Sequence, residues 1–238
     1  MMDKLENNFD DAYVQLSKNN VDSKGQLKNS PCVRFENPHG KGLRVMFVGN
    51  SITLHGPAPK IGWHGEWGMA ASSKENDYVH ILEREIRNTD PEASFCICQV
   101  SDFEREYWNG TEKFPQFESA HQFGADVIVL RFIENVAIGN FDKDVFGREL
   151  EQLVQFLNGS GNAKIIVTTS FWKHPGDQAL RDFAAQNGYP CVELGDLGED
   201  HSMKAIGLFE HGGVAQHPGD QGMKEIAERI MKALTPMI

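Results

Sequence analysis

Five short apolar runs, Leu43–Val48, Ser94–Val100, Asp126–Leu130, Ala163–Thr168 and Pro190–Leu194, recur along the chain from residue 43 onward. Several are nearly continuous in Val, Ile and Leu, as expected of strands covered on both faces. Segments of helical period separate them. Glu75–Arg87 carries Tyr78, Ile81, Leu82 and Ile86 on one stripe, and Asp142–Leu157 carries Val145, Leu150, Leu153, Val154 and Leu157. Gln178–Asn187 and Met223–Leu234 complete the set. Strands alternating with helices predict the α/β class: a five-stranded, mostly parallel sheet in a three-layer α/β/α sandwich. Open sheets of this kind place their chemistry beyond the carboxyl ends of the strands, so the residues directly after each run are the ones to inspect.

The 238 residues suit one such domain over residues 41–238, and a hydrophobic content of 40% supplies a full core without metal or disulfide. Residues 1–40 are polar and weakly periodic. Only Cys32–Phe35 is strand-like before Asn37-Pro38-His39-Gly40, which predicts an N-terminal arm contributing an added edge strand. A net charge of −11 with scattered basic residues argues against a nucleic-acid partner. No basic segment and apolar run opens the chain and no stretch is long enough to span a bilayer, so a cytoplasmic protein without membrane insertion is expected. The four cysteines lack zinc spacing; Cys96 and Cys98 fall on one strand face and read as buried free thiols.

Directly after the first core run comes Gly49-Asn50-Ser51-Ile52-Thr53. A strand running into a small-residue turn exposes a serine hydroxyl at the sheet edge, where it can act as a nucleophile. Serine is also a preferred helix N-cap, and local chemistry alone leaves both readings open. Dinucleotide and P-loop fingerprints are absent, and Thr53 stands where G-x-S-x-G needs its second glycine. A nucleophilic serine needs a neutral imidazole as base. His217 is the candidate, in Gln216-His217-Pro218-Gly219-Asp220-Gln221 just before the last helical segment. His174-Pro175-Gly176-Asp177-Gln178 repeats that pentapeptide residue for residue, so one of the two is read as a helix start only. Between the serine and the next helix, Trp63 and Trp67 stand among glycines, either as a pocket wall or packed on the core. His55, His64 and Glu66 have no metal-ligand spacing, and no metal is assigned.

Val48-Gly49-Asn50-Ser51-Ile52-Thr53 resembles the first block of the SGNH (GDSL-like) hydrolases, G-D-S-I/L-T, with Asn in place of Asp. The resemblance implies a flavodoxin-like SGNH hydrolase fold, Ser51 as nucleophile and His217 as base. The last family block reads D-x-x-H, but Val214 occupies the acid position. Glu210, a backbone carbonyl or a carboxylate from another loop would then orient His217. Ile133-Glu134-Asn135-Val136 matches the third block, G-x-N-D, only through Asn135, which the resemblance implies as an oxyanion donor. Arg131 and Glu134 read as an ordinary ion pair. The family glycine after the second strand is missing, so the amide of Ser101 or Asp102, with that of Ser51, would complete the oxyanion hole.

The implied activity is that of a carboxylic ester hydrolase. It would cleave short acyl groups, such as acetyl on a carbohydrate, with Trp63, Trp67 and Asn50 as substrate contacts and no cofactor. Two alternatives remain: a catalytically weakened binding protein on the same scaffold, and an acyl transferase.

Overall fold

The structure, a computed structural model, describes residue 27 and residues 29–159 and 161–238. Most of the expected arm, residues 1–26 and 28, lies outside the described residues. A six-stranded sheet forms the centre, built from β1 (Val33–Glu36), β2 (Arg44–Gly49), β3 (Ser94–Gln99), β4 (Val127–Arg131), β5 (Lys164–Thr168) and β6 (Cys191–Val192). Its order is β1-β3-β2-β4-β5-β6. The five expected runs pair in parallel, and β1 adds a sixth strand antiparallel to β3, with Val33 opposite Cys98 and Glu36 opposite Phe95. The sheet therefore has six strands rather than five.

Strand periodicity divides the core between the two faces of this sheet. Met46, Val48, Cys96, Cys98, Ile128, Leu130, Ile165 and Val167 lie in one apolar cluster. Val45, Phe47, Phe95, Ile97, Val127, Val129 and Ile166 lie in the other. On the first face pack α2 (Ser101–Arg105), α3 (Glu118–Phe123), α4 (Lys143–Leu157) and α5 (Asp177–Asn187), through residues such as Phe103, Phe123, Leu150 and Leu180. On the second pack α1 (Tyr78–Thr89) and the last long helix, α7 (Asp220–Leu234). The predicted three-layer sandwich follows. Burying Met223, Ile226, Ile230 and Leu234 of α7 stabilises the docked helix by about 1.5–3 kcal/mol per side chain.

Helix ends obey local chemistry. Asp77 caps α1 by accepting the His80 N–H at 2.8 Å, and Asp142 caps α4 by accepting the amides of Asp144 and Val145. The segment between β3 and β4 holds two short helices and a 3₁₀ stretch at Tyr107–Phe117. A four-residue helix, α6 (Gly212–Ala215), precedes α7. Among the described residues, no helix is long and apolar enough to cross a membrane.

Candidate active site

Gly49 ends β2 where nothing larger fits: a Cβ there would lie 1.8 Å from the Thr53 hydroxyl and 2.7 Å from the Arg131 carbonyl. The chain then turns sharply, with the amides of Thr53 and Leu54 both donating to the Asn50 carbonyl at 2.9 Å. Ser51 sits on this turn, half-buried, and its carbonyl is tied to the Met69 amide at 2.8 Å. No regular helix begins here; α1 starts only at Tyr78. Ser51 is therefore not a helix N-cap.

The Ser51 Oγ lies 2.9 Å from Nε2 of His217. The other ring nitrogen, Nδ1, lies 2.8 Å from the carbonyl oxygen of Gly213, in the short helix α6. That carbonyl can only accept, so Nδ1 carries the proton and Nε2 presents its lone pair to the serine hydroxyl. The edge of Trp172 supports the ring at a centroid distance of 5.1 Å and 84°. Of the expected orienting groups, the backbone carbonyl is the one in place. Glu210 is exposed, and Val214 is buried in a cluster with Trp63, Met69, Ala70 and Ala205. Burial holds the His217 pKa down at about 4, outweighing the opposing effects of the Gly213 carbonyl and Glu134; the charges of Arg131 and His55 push the same way as burial.

His174 is not placed to compete. It is 9% exposed, its Nδ1 accepts the Gly176 amide at 2.9 Å, and its Nε2 lies 3.0 Å from the Val136 carbonyl. Both ring nitrogens are thus committed to backbone.

Behind the turn lies a buried polar network that joins three strand ends. The fully buried Asn50 donates through Nδ2 to Glu104 at 3.0 Å and to Glu134 at 2.6 Å, and its Oδ1 accepts Arg131 at 2.6 Å. Arg131, also fully buried, bonds both oxygens of Glu134 at 2.8 and 2.9 Å. Glu104 accepts the Ile133 amide at 2.6 Å and the Asn135 side-chain amide at 2.7 Å. Burial and the nearby Glu134 raise the Glu104 pKa against the pull of these donors. Burial acts on Glu134 too, but Arg131 and the N–H groups of Phe171 and Asn50 outweigh it and hold that carboxyl below its ordinary value. The Arg131–Glu134 pair is therefore a buried, bidentate one rather than an ordinary surface pair.

Ile133 stands where the family pattern has glycine, and it keeps a left-handed backbone, with φ +124°. For a β-branched residue this is a strained conformation, costing on the order of 1–3 kcal/mol. The bond from its amide to Glu104 helps to hold it. Sequence reasoning missed Glu104, because Ser101-Asp102-Phe103-Glu104-Arg105 reads as a solvated charged turn. Only the burial of the neighbouring Phe103 hints that this turn faces inward.

The expected oxyanion donors are Asn135 and the amides of Ser51 and Asp102. Asn135 spends one side-chain N–H on Glu104, leaving a second. The amides of Ser51 and Asp102 have no hydrogen-bond partner among the described residues. The Ser101 amide is bonded to the Gln99 side chain at 3.3 Å.

The expected substrate contacts need correction. Asn50 is fully buried with its donor and acceptor both used, so it holds the network rather than a ligand. Trp63 is 3% exposed, donates to the His55 carbonyl at 3.2 Å and packs edge-on against Trp67, so it is core rather than pocket wall. Trp67 is half-buried and its N–H is held by the Ala71 carbonyl at 3.0 Å. The loop closes on itself through bridges between His55 and Trp67 and between Ala58 and Trp63. Among the described residues, no group of His, Cys, Asp and Glu is arranged to hold a metal ion.

No protein-family model matches this chain, and no curated protein matches it in sequence. Solved structures do. An acetyl xylan esterase superimposes with a TM-score of 0.54 at 16% identity, covering 81% of this chain and 100% of its own. A member of the lipolytic G-D-S-L family from Veillonella parvula gives 0.53 at 14% identity, covering 82% and 99%. A two-domain esterase active on acetylated mannans, co-crystallized with mannopentaose, gives 0.52 at 14% identity over 84% of this chain. This chain spans about half the length of that protein, 51%. The fold is that of the SGNH (GDSL-like) hydrolases.

Proposed function

We propose that this chain is a serine esterase that hydrolyses short-chain esters through an acyl-Ser51 intermediate. The observation that carries the reading is the 2.9 Å contact between Ser51 Oγ and an Nε2 whose ring is oriented from behind by the Gly213 carbonyl. In the proposed mechanism Ser51 Oγ attacks the ester carbonyl as its proton passes to His217 Nε2. The carbonyl electrons move onto oxygen, where the free N–H of Asn135 and the amides of Ser51 and Asp102 stabilise the charge. Collapse of the tetrahedral intermediate expels the alkoxide, which takes the proton from His217. Water, deprotonated by the same imidazole, then attacks the acyl-enzyme and releases the acid and Ser51.

The imidazolium formed in each half-reaction is stabilised by a neutral carbonyl rather than by a carboxylate. The charged network of Glu104, Arg131 and Glu134 lies one residue behind the nucleophile, where it holds Asn50 and Asn135 in place. An acetyl group on a carbohydrate is the substrate favoured by what the matching structures are named for, an acetyl xylan esterase and an esterase active on acetylated mannans.

The test is labelling with a fluorophosphonate probe together with turnover of p-nitrophenyl acetate. We expect labelling and turnover in the parent protein and neither in Ser51→Ala. A parent protein that is not labelled and shows no Ser51-dependent turnover ends the proposal.

A further inference from the structure

Asp77-Tyr78-Val79-His80 has the D-x-x-H spacing that Val214 breaks before His217, far from the end of the chain where the family carries it. The pair makes the contact this spacing allows: His80 Nδ1 lies 2.7 Å from Oδ1 of Asp77. The other ring nitrogen, Nε2, is buried and bonded to nothing among the described residues, so no nucleophile stands on this imidazole. Burial opposes a charge on the ring, but Asp77 and Glu83 outweigh it and hold the His80 pKa above its ordinary value. The ring is the counter-charge of a fully buried carboxylate.

The second oxygen of that carboxylate reaches toward the active site. Asp77 Oδ2 accepts the Gly68 amide at 2.9 Å, and the next amide, that of Met69, donates to the Ser51 carbonyl at 2.8 Å. Gly68 is pressed between the two: a Cβ there would lie 2.4 Å from the Ile52 carbonyl and 3.0 Å from the Asp77 Cβ. Beside it, the Tyr78 hydroxyl lies 2.8 Å from Thr53 Oγ1, with both residues fully buried. The chain from Gly68 then reaches the other half of the site, where the Ser72 amide and hydroxyl bond Asp220, three residues after His217. Between the two attachments Ala70 holds φ +76°. A non-glycine residue keeps that left-handed conformation only where its surroundings over-determine it.

The nucleophile is therefore held from both sides. The Asn50 network fixes the turn ahead of Ser51, and the Gly68–Met69 strap fixes the Ser51 carbonyl behind it. We infer that Asp77 is a positioning residue of this esterase, which through that strap sets the aim of the Ser51 hydroxyl at His217, with His80 as its counter-ion. The inference rests on the esterase reading above and goes beyond it.

Asp77→Asn separates the strap from the helix cap. Asparagine caps a helix as well as aspartate does, so its Oδ1 keeps the His80 amide while its Nδ2 meets the Gly68 N–H donor to donor. The kcat on p-nitrophenyl acetate, taken per serine labelled to completion by a fluorophosphonate, is expected to fall about 10–100-fold, with KM within about twofold of the parent. Exchange of the Met69 amide is expected to speed up about tenfold or more. Gly68→Ala lifts the same strap with the carboxylate intact and should reproduce the kcat loss, so the test stands if Asp77→Asn does not fold. Asp142→Asn, the same change at the cap of α4, should keep the parent kcat; an equal loss there overturns the inference. So does a parent-like kcat in the strap variants, or a Met69 amide that exchanges no faster, and either leaves the esterase standing. A loss that lies wholly in the number of labelled serines also overturns it, as the mark of a merely structural role. A parent protein that is neither labelled nor active removes the esterase reading and this inference with it.

Discussion

His-Pro-Gly-Asp-Gln occurs at 174–178 and again at 217–221, and the two copies do the same local work. A helix begins at the Asp of each, α5 at Asp177 and α7 at Asp220. Each carboxylate also holds a serine twice, Asp177 one in the preceding loop and Asp220 one from a segment far away in the sequence. Asp177 accepts the amide and hydroxyl of Ser170 at 2.8 and 2.9 Å, and Asp220 those of Ser72 at 2.8 and 2.6 Å. The histidines then diverge. His174 is locked between two backbone groups, whereas His217 offers Nε2 to Ser51.

The divergence starts at the glycine. Gly176 has ψ −6° and Gly219 ψ −175°, with φ −76° in both. At the second copy, a bridge between Lys204 and Pro218 draws the chain out: the Gly219 amide donates to Met203 at 3.0 Å and the Ala205 amide to His217 at 2.9 Å. At the first copy the Gly176 amide instead turns inward to the His174 ring. The pentapeptide sets a helix start; its partners across the fold set where the imidazole points.

The comparison breaks most directly at the histidines. His217→Ala is expected to lower kcat on p-nitrophenyl acetate by about 10⁴-fold or more. His174→Ala should keep the parent kcat while lowering stability by about 1–3 kcal/mol, read by urea unfolding, because the Val136 carbonyl and Gly176 amide lose their partner. The opposite pattern would exchange the two assignments.

Val214→Asp puts an acid at the family position. Val214 packs with Trp63, Met69, Ala70 and Ala205, so a carboxylate there lacks a cationic partner. We expect a loss of about 3–5 kcal/mol in stability and no gain in kcat. A stable variant with faster turnover would show that a third catalytic member can be restored there.

Next come the aspartates. Asp177 is 4% exposed and serves Ser170 and the His174 amide, so Asp177→Ala should cost about 1–3 kcal/mol. Asp220 is exposed, and Asp220→Ala should cost about 0.5–1 kcal/mol. Equal losses in thermal or chemical unfolding would contradict the difference in burial.

The smallest effect is the pH dependence. His217 must be neutral to accept the serine proton, and burial lowers its pKa to about 4. Activity should therefore persist as pH falls through the ordinary histidine range and be lost only as it approaches about 4. A kcat/KM profile whose acid limb lies near pH 6.5, the ordinary value, would show that His217 titrates as a solvated ring.

Much of the scaffold was legible because its signals are local. Val45–Val48 and Val127–Leu130 are apolar without interruption since both faces of the sheet are covered, and α7 shows its stripe since only one side is buried. The turn at Gly49-Asn50-Ser51 was legible as a site because a serine there must stand at the carboxyl edge. Glu104 was not legible: an acidic residue in a charged helical turn carries no mark of the three strand ends it will join. Trp63 misled for the converse reason, since a tryptophan among glycines beside a nucleophile has the same local sequence whether it walls a pocket or plugs a core. The sixth strand was visible only as Cys32–Phe35, and its direction lay in the pairing with β3.

By itself the sequence determined the alternation of strands and helices, the sharp turn that exposes Ser51, and two helix starts each led by a histidine. These depend on period, glycine and capping chemistry within a few residues. The tertiary structure alone decided which histidine meets the serine, that a peptide carbonyl rather than a carboxylate stands behind it, and that Glu104 holds Asn135 and the strained Ile133. The first and the last are contacts between segments tens of residues or more apart, and the carbonyl, though only four residues before His217, faces the ring because the short helix α6 is packed there. Such contacts follow from how the layers pack, and no local pattern encodes them.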